Sequence, residues 1–165
     1  MMVSIVPASK ADLPEIHRIY NHFVLTSTAT FDITERPFEE RVSWFRNLPS
    51  GCVVYIVRVD AKVAGYGAVS PWGGKEGYAG CGEVSLYVLS DFQGKGIGKM
   101  LLKELLNGAR EGGLHTLIAR ITTENPISIK LHQKAGFKEV GTLKEVGYKF
   151  GRKLNVTFMQ AMLWE

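Results

Sequence analysis

Three strand-like runs follow one another between residues 53 and 89, separated only by turn and loop residues, and this cluster limits what the chain can fold into. Residues 53–59 are rich in β-branched side chains, Asp60-Ala61-Lys62 makes a turn, and residues 63–69 supply the second arm of a hairpin. Residues 71–82 carry Gly73, Gly74, Gly77, Gly80 and Gly82 and predict a long mobile loop before the third strand, residues 83–89. Ahead of the cluster lie a short strand (residues 3–7) and a helix capped by Ser9, with Asp12 in its first turn, Pro14 tolerated early, and a stripe of Leu13, Ile16, Ile19, Tyr20 and Phe23. After a loop over residues 28–36, Pro37 opens a second helix with Glu39 and Glu40 in the favourable first turn and a stripe of Phe38, Val42 and Phe45. Behind the cluster, Ile97, Leu101, Leu105 and Ala109 mark a third helix, residues 117–122 a strand, and Asn125-Pro126 the capped start of a fourth helix ending near Gly136. Strands resume over residues 138–143 and 155–163. The order is therefore β, α, α, β, β, β, α, β, α, β, β. A doubly wound parallel fold alternates strand and helix throughout, so this order predicts a mixed α/β (α+β) sheet instead.

The chain has 165 residues, 45% hydrophobic and 22% charged, which fits one domain over residues 1–165 with a substantial core. No apolar run is long enough to suggest a membrane span, and the N-terminus lacks the charge and hydropathy pattern of a signal peptide, so no membrane partner and a cytoplasmic location are expected. Cys52 and Cys81 form no metal-ligand cluster and read as buried thiols, so no metal is expected. The net charge of +4 is spread along the sequence. A nucleic-acid binder concentrates its basic residues on one face, so no nucleic-acid partner is expected, whereas a mild excess suits a multiply anionic small ligand.

Such a ligand has an obvious place. Gln93-Gly94-Lys95-Gly96-Ile97-Gly98 joins the strand of residues 83–89 to the third helix. Glycines let the backbone turn tightly with its N–H groups outward, and the helix start adds unpaired N–H groups and partial positive charge. This suits a phosphate or pyrophosphate. Lys99 stands where a dinucleotide fingerprint needs its third glycine, and no Gly-Lys-Ser/Thr follows, so neither of those phosphate loops matches. A ligand-free glycine turn remains an alternative on the loop alone.

Gln93-x-x-Gly96-x-Gly98 resembles the pyrophosphate motif of the GNAT superfamily of N-acetyltransferases, and Asn125-x-x-Ser128-x-x-x-His132-x-x-x-Gly136-Phe137 resembles its downstream helix. Thr30-Phe31-Asp32, Glu83-Val84-Ser85-Leu86-Tyr87-Val88, Gly113-Leu114-His115-Thr116-Leu117 and Glu145-Val146-Gly147-Tyr148-Lys149-Phe150-Gly151-Arg152 are similar to the branch that holds phosphinothricin and methionine sulfoximine acetyltransferases. The resemblance implies the GNAT fold: a mixed, mostly antiparallel sheet of about seven strands with a splayed parallel pair, flanked by about four helices. It implies acetyl-CoA as co-substrate, a small amine as acceptor and a homodimer.

By the same resemblance, the backbone of Leu86, Tyr87 and Val88 pairs with the pantetheine arm as an added strand would, and Gly94 to Lys99 cradle the pyrophosphate, with Lys95 and Lys99 adding charge. The N–H near Val88 is the expected oxyanion donor. Glu83 matches the glutamate that acts as general base through a water; by strand parity alone it is equally a strand-end glutamate facing solvent. His132 stands where many members place a tyrosine that protonates the leaving thiolate, and Asn125 and Ser128 belong to the same cofactor-edge helix. The acceptor pocket is expected around Phe31, Asp32, Trp72 and Tyr148, with Asp32 holding a substrate ammonium. Methionine sulfoximine-acetylating relatives carry an arginine for the substrate carboxylate in the loop after the third strand. This chain has Pro71-Trp72-Gly73-Gly74-Lys75-Glu76-Gly77-Tyr78 there, so Lys75, Lys149 and Arg152 become the candidates. A protein N-terminus or a polyamine as acceptor, and a non-catalytic CoA-binding domain, stay open beside the amino-acid analogue.

Overall fold

The structure, a computed structural model, describes residues 1–164. Its elements run β1 (Val3–Pro7), α1 (Leu13–Thr26), α2 (Phe38–Arg46), β2 (Val54–Val59), β3 (Lys62–Pro71), β4 (Cys81–Val88), α3 (Ile97–Glu111), β5 (Thr116–Thr122), α4 (Pro126–Lys134), β6 (Lys138–Lys149) and β7 (Arg152–Met162), with short 3-10 turns before α1, β4 and α3. The expected element order holds. The strands form one seven-stranded sheet in the order β1-β2-β3-β4-β5-β7-β6. Every neighbouring pair is antiparallel except β4 and β5.

Helices cover both faces because strand side chains alternate. On one face Val57, Val84, Leu117, Ala119 and Met159 pack against Ile97, Leu101, Leu102 and Leu105 of α3, spaced as one helical stripe. On the other, Ile56, Tyr66, Ala68 and Tyr87 meet Leu13, Ile16 and Ile19 of α1, with Val42 and Phe45 of α2 beside them. Burying one such leucine contributes roughly 1.5–3 kcal/mol, so these two stripes hold β4 firmly from both sides.

Several boundaries differ from the sequence-based expectation. Ser9 and Asp12 form a reciprocal cap, but around a 3-10 turn at Lys10–Asp12 that leads into α1. Cys52 and Cys81 are half-buried rather than buried, and burial pushes both thiols up. The largest departure is β6, which continues to Lys149 instead of stopping at Leu143. Register shifts between Glu139 and Gly141 and between Leu143 and Gly147 hide the strand's alternation. At the second shift Glu145 takes φ 55° and donates its N–H to Asn155 Oδ1 at 2.8 Å. Pairing then resumes from Gly147 opposite Leu154 to Lys149 opposite Arg152. Phe150 and Gly151, at φ 53° and 75°, close it as a two-residue hairpin turn. The expected late loop carrying Lys149 and Arg152 is thus two paired strand ends.

Candidate active site

The parallel pair is barely a pair. Cys81, Gly82 and Glu83 lie opposite Thr116, Leu117 and Ile118, and no further register follows although β4 runs on to Val88 and β5 to Thr122. The two strands splay apart beyond Glu83. Leu89 gives its N–H to Ala64 on β3. Alternation along an extended strand then turns the polar backbone groups of Val88 and Leu86 toward the gap and those of Tyr87 toward β3. The Tyr87 side chain is buried against Tyr20, Phe23 and Tyr66. Of the three residues expected to pair with an extended ligand, Leu86 and Val88 have the right backbone direction and Tyr87 does not.

A cavity of ≈ 600 Å³ passes through this gap. One end is the sheet face shared by Glu83, Ser85 and Arg120, and the other is walled by Ile121, Asn125, Ser128 and His132. Glu83 therefore lines the cavity rather than ending a strand in solvent. Its carboxylate is gripped by Arg120 on β5, which donates Nε–H to Oε1 at 2.8 Å and Nη2–H to Oε2 at 2.9 Å. The guanidinium also lies 5.6 Å from the Trp72 ring centre.

On the far side, Asn125 Oδ1 accepts the Ser128 N–H at 3.1 Å and so caps α4. His132 is 2% exposed, and its Nδ1 sits 2.8 Å from the Ser128 carbonyl oxygen. A carbonyl accepts only, so Nδ1 carries the proton and Nε2 keeps its lone pair when the ring is neutral. Burial lowers the His132 pKa, only partly opposed by the Ser128 bond. In the neutral ring Nε2 is thus an acceptor, and it donates only when the ring is protonated, the state that the expected role as acid or hydrogen-bond donor requires.

Gly94 and Gly96 hold φ of 74° and 78°, and nothing lies within 4 Å of where a Cβ would stand on either, so the loop is both left-handed and open. Gly96 is the N-cap of α3. The buried Ile97 side chain pins that helix start into the core, and a Cβ on Gly98 would meet Leu131 of α4 at 3.4 Å and Leu86 of β4 at 3.8 Å. The glycine loop thus sits where the splay and α4 converge. The side chains around it fold back: Gln93 Nε2 donates to the Val88 carbonyl at 2.7 Å, and Lys95 Nζ to the Asp91 carbonyl at 3.0 Å. Lys99 is exposed.

The acceptor side corrects several expectations. Phe31 lines the cavity, with Leu143 and Val146 of β6 beside it. It occupies the slot left by Gly147, where a Cβ would lie 2.2 Å from its ring. Asp32 does not line the cavity; it accepts a hydrogen bond from the Tyr20 hydroxyl and braces the loop. Lys149 is 2% exposed and donates to the carbonyls of Ser27 at 2.7 Å and Thr30 at 2.8 Å, so it is a strut and not a substrate partner. Burial lowers its pKa, with the charge of Asp32 opposing. Arg152 is held by both oxygens of Glu124, at 2.7 and 2.8 Å, in a separate hollow. Lys75 is an exposed turn residue and Tyr148 is 65% exposed, and neither lines the cavity. Trp72 stands behind the wall, edge-on to Phe158 at 6.2 Å. The aromatic wall is instead Tyr20, Trp44, Tyr66 and Phe158, with Arg41 stacked 4.6 Å and 4.5 Å from the Tyr20 and Trp44 ring centres. Arg120 escaped the sequence reading altogether, although strand parity from the apolar Leu117, Ala119 and Ile121 puts it on the Glu83 face. Among the described residues there is no group of three His, Cys, Asp or Glu side chains that would hold a metal ion.

Comparison with known proteins agrees with this architecture. Residues 16–137 match the acetyltransferase (GNAT) family. The chain is 41% identical to an L-methionine sulfoximine/L-methionine sulfone acetyltransferase of Pseudomonas aeruginosa, over 99% of this chain and 96% of that protein. Among solved structures it superimposes on a ribosomal-protein-alanine N-acetyltransferase from Brucella melitensis (TM-score 0.91, 42% identity, 96% of this chain and 99% of the other). It likewise superimposes on a phosphinothricin acetyltransferase from Sinorhizobium meliloti in complex with acetyl-CoA (TM-score 0.93, 34% identity, 98% and 89%).

Proposed function

The chain belongs to the acetyltransferase (GNAT) family, and we propose that this N-acetyltransferase moves the acetyl group of acetyl-CoA to the α-amine of a small amino-acid analogue of the methionine sulfoximine or phosphinothricin type. The observation that carries the proposal is the cavity through the β4–β5 splay, with Glu83 and Arg120 at one end and the free edge of β4 leading to the glycine loop at the other. Its volume suits a small ligand. Among the described residues that line it, Glu83 is the sole acidic one and is already paired, which does not suit a polyamine.

The donor arrives as an activated thioester, so the protein has only to hold both substrates and manage protons. Leu86 and the Val88 N–H offer a strand edge to the amide-bearing pantetheine arm, while Gln93 holds the Val88 carbonyl. Gly94, Gly96 and the first turn of α3 offer N–H groups to the pyrophosphate. The acceptor enters as an ammonium, because an α-amino group titrates near ~8. Glu83, through a water, takes the first proton. The freed nitrogen attacks the thioester carbon, the Val88 N–H stabilises charge developing on its oxygen, and the C–S bond breaks with its electron pair on sulfur. The nitrogen's second proton balances the thiolate. His132 Nε2 accepts a hydrogen bond at the thiol end. The same reading takes residues 1–165 as one cytoplasmic domain. It also pairs two copies through β6, an edge strand that exposes Val140, Leu143, Val146 and Tyr148.

A thiol-release assay with acetyl-CoA tests the proposal across L-methionine sulfoximine, L-methionine sulfone, phosphinothricin, spermidine and a peptide with N-terminal alanine. The expected result is turnover of the amino-acid analogues far above the polyamine and peptide. Preferred turnover of the peptide would favour a protein N-terminus instead.

A further inference from the structure

We propose that Arg120 is the specificity-determining residue of the acceptor site, binding the substrate's α-carboxylate with the outer edge of its guanidinium while its inner edge holds Glu83. The inference rests on the acetyltransferase reading and names what that reading leaves open, the group that recognises an amino acid as such.

An amino acid offered to this cavity needs a cation beside the base, and the three basic side chains expected in that role are held elsewhere, while Arg41 lies stacked behind the Tyr20 and Trp44 rings rather than lining the cavity. Lys149 is buried on two backbone carbonyls, Arg152 is bound to both oxygens of Glu124, and Lys75 lies outside the cavity. Among the described residues that line the cavity, Arg120 is the sole lysine or arginine. A guanidinium has five N–H bonds in a planar fork. Glu83 takes one from Nε and one from Nη2. Among the described residues no other side-chain or backbone acceptor bonds Arg120, which leaves Nη1 and the second Nη2 hydrogen as a free pair spaced for a carboxylate. The Arg120 side chain is 51% exposed, so a ligand reaches it without unfolding anything. Its position is fixed by the two Glu83 bonds and by the Trp72 ring behind it.

The consequence is geometric. In an α-amino acid the nitrogen and the carboxylate share one carbon. A carboxylate on the outer edge of Arg120 therefore sets the ammonium beside the carboxylate of Glu83 on the inner edge. A simple amine lacks that anchor and reaches Glu83 undirected.

The test compares L-methionine sulfone with 3-(methylsulfonyl)propan-1-amine, the same molecule without its carboxylate, on the wild-type protein and on Arg120→Gln and Arg120→Lys. The wild type is expected to prefer the sulfone. In Arg120→Gln the KM for the sulfone rises roughly 10- to 100-fold, the loss of hydrogen bonds to a charged group, while the KM for the amine stays within about threefold. Arg120→Lys keeps a charge but not the fork, and recovers part of the sulfone affinity. Changes in kcat transmitted through Glu83 appear with both compounds and cancel in the comparison. Equal KM losses for both compounds, or an unchanged KM for the sulfone, would overturn the assignment. Calorimetric acetyl-CoA binding checks that each variant is folded, and Arg120→Lys carries the test if Arg120→Gln fails that check. A wild type that binds acetyl-CoA yet acetylates no amine of either kind refutes the acetyltransferase reading, whereas one that acetylates both compounds equally well refutes only the role of Arg120.

Discussion

Replacing Lys149 by methionine separates a strut from a substrate partner. The lysine leaves the end of β6 and places Nζ between the Ser27 and Thr30 carbonyls, at 2.7 and 2.8 Å, with 2% of the residue exposed. Methionine has similar reach and no charge. Two hydrogen bonds from a charged donor are lost, worth roughly 1.5–3 kcal/mol each. The ammonium no longer has to be desolvated, which returns about half of that. A net loss of about 1.5–3 kcal/mol follows, or about 3–12 °C in Tm for a chain of this size. The loop it releases carries Phe31 into the cavity wall, so the acceptor KM rises too. Lys149 bonds no residue of the glycine loop or of α4 among the described residues, so acetyl-CoA affinity should stay unchanged. Thermal melts and calorimetry measure all three quantities. An unchanged Tm with a raised acceptor KM would return Lys149 to the substrate and refute the strut.

Glu83→Gln keeps the shape but removes the base and one of the two acceptors for Arg120, so kcat falls by roughly 10²–10⁴ while acetyl-CoA binding persists; unimpaired turnover would remove Glu83 from the mechanism. His132 has a folded pKa below its ordinary 6.5 because it is buried. The unfolded chain therefore binds the extra proton first, and the stability due to this residue is complete above pH 6.5 and drains away below it. The wild-type Tm should fall more steeply than that of His132→Gln between pH 6.5 and 5, and parallel curves would contradict the neutral, buried ring. Gly96→Ala forces a side chain into φ 78°, costing about 1–2 kcal/mol, and should weaken acetyl-CoA without changing discrimination between acceptors; an unaltered dissociation constant would remove the loop from the donor site.

The fold was legible where one face of an element alone is buried or where a turn joins two strand-forming runs. The Leu101, Leu105 and Ala109 stripe of α3 announces itself because burial imposes a single period on it, and the hairpin around Asp60-Ala61, buried on both faces, because of its turn. β6 did not, since two register shifts break its period and most of its side chains face solvent. Glycines at 94 and 96 spoke directly, as only that residue adopts their backbone freely. Charged residues spoke least. Lys149 and Arg120 look alike in sequence, yet one is walled into the protein and the other opens onto the cavity. That difference comes from partners on distant segments, Ser27 and Thr30 for one and Glu83 for the other. Motif resemblance pointed to Glu83 but carried no information about Arg120, which lies outside every matched segment.

A sheet whose middle strands touch over three residue pairs is two smaller sheets sharing a short seam. β1 to β4 make one leaf, and β5, β7 and β6 the other. A ligand lying along the β4 edge adds a missing rung to the ladder, so donor binding and consolidation of the molecule become one event. At a hundredfold excess over its dissociation constant a ligand adds about 2.7 kcal/mol to the folded state. In amide exchange the gap-facing amides of Leu86 and Val88 would then report ligand supply, slow when acetyl-CoA is abundant and fast when it is scarce. The protein's resistance to unfolding would thus rise and fall with the cell's store of activated acetyl groups.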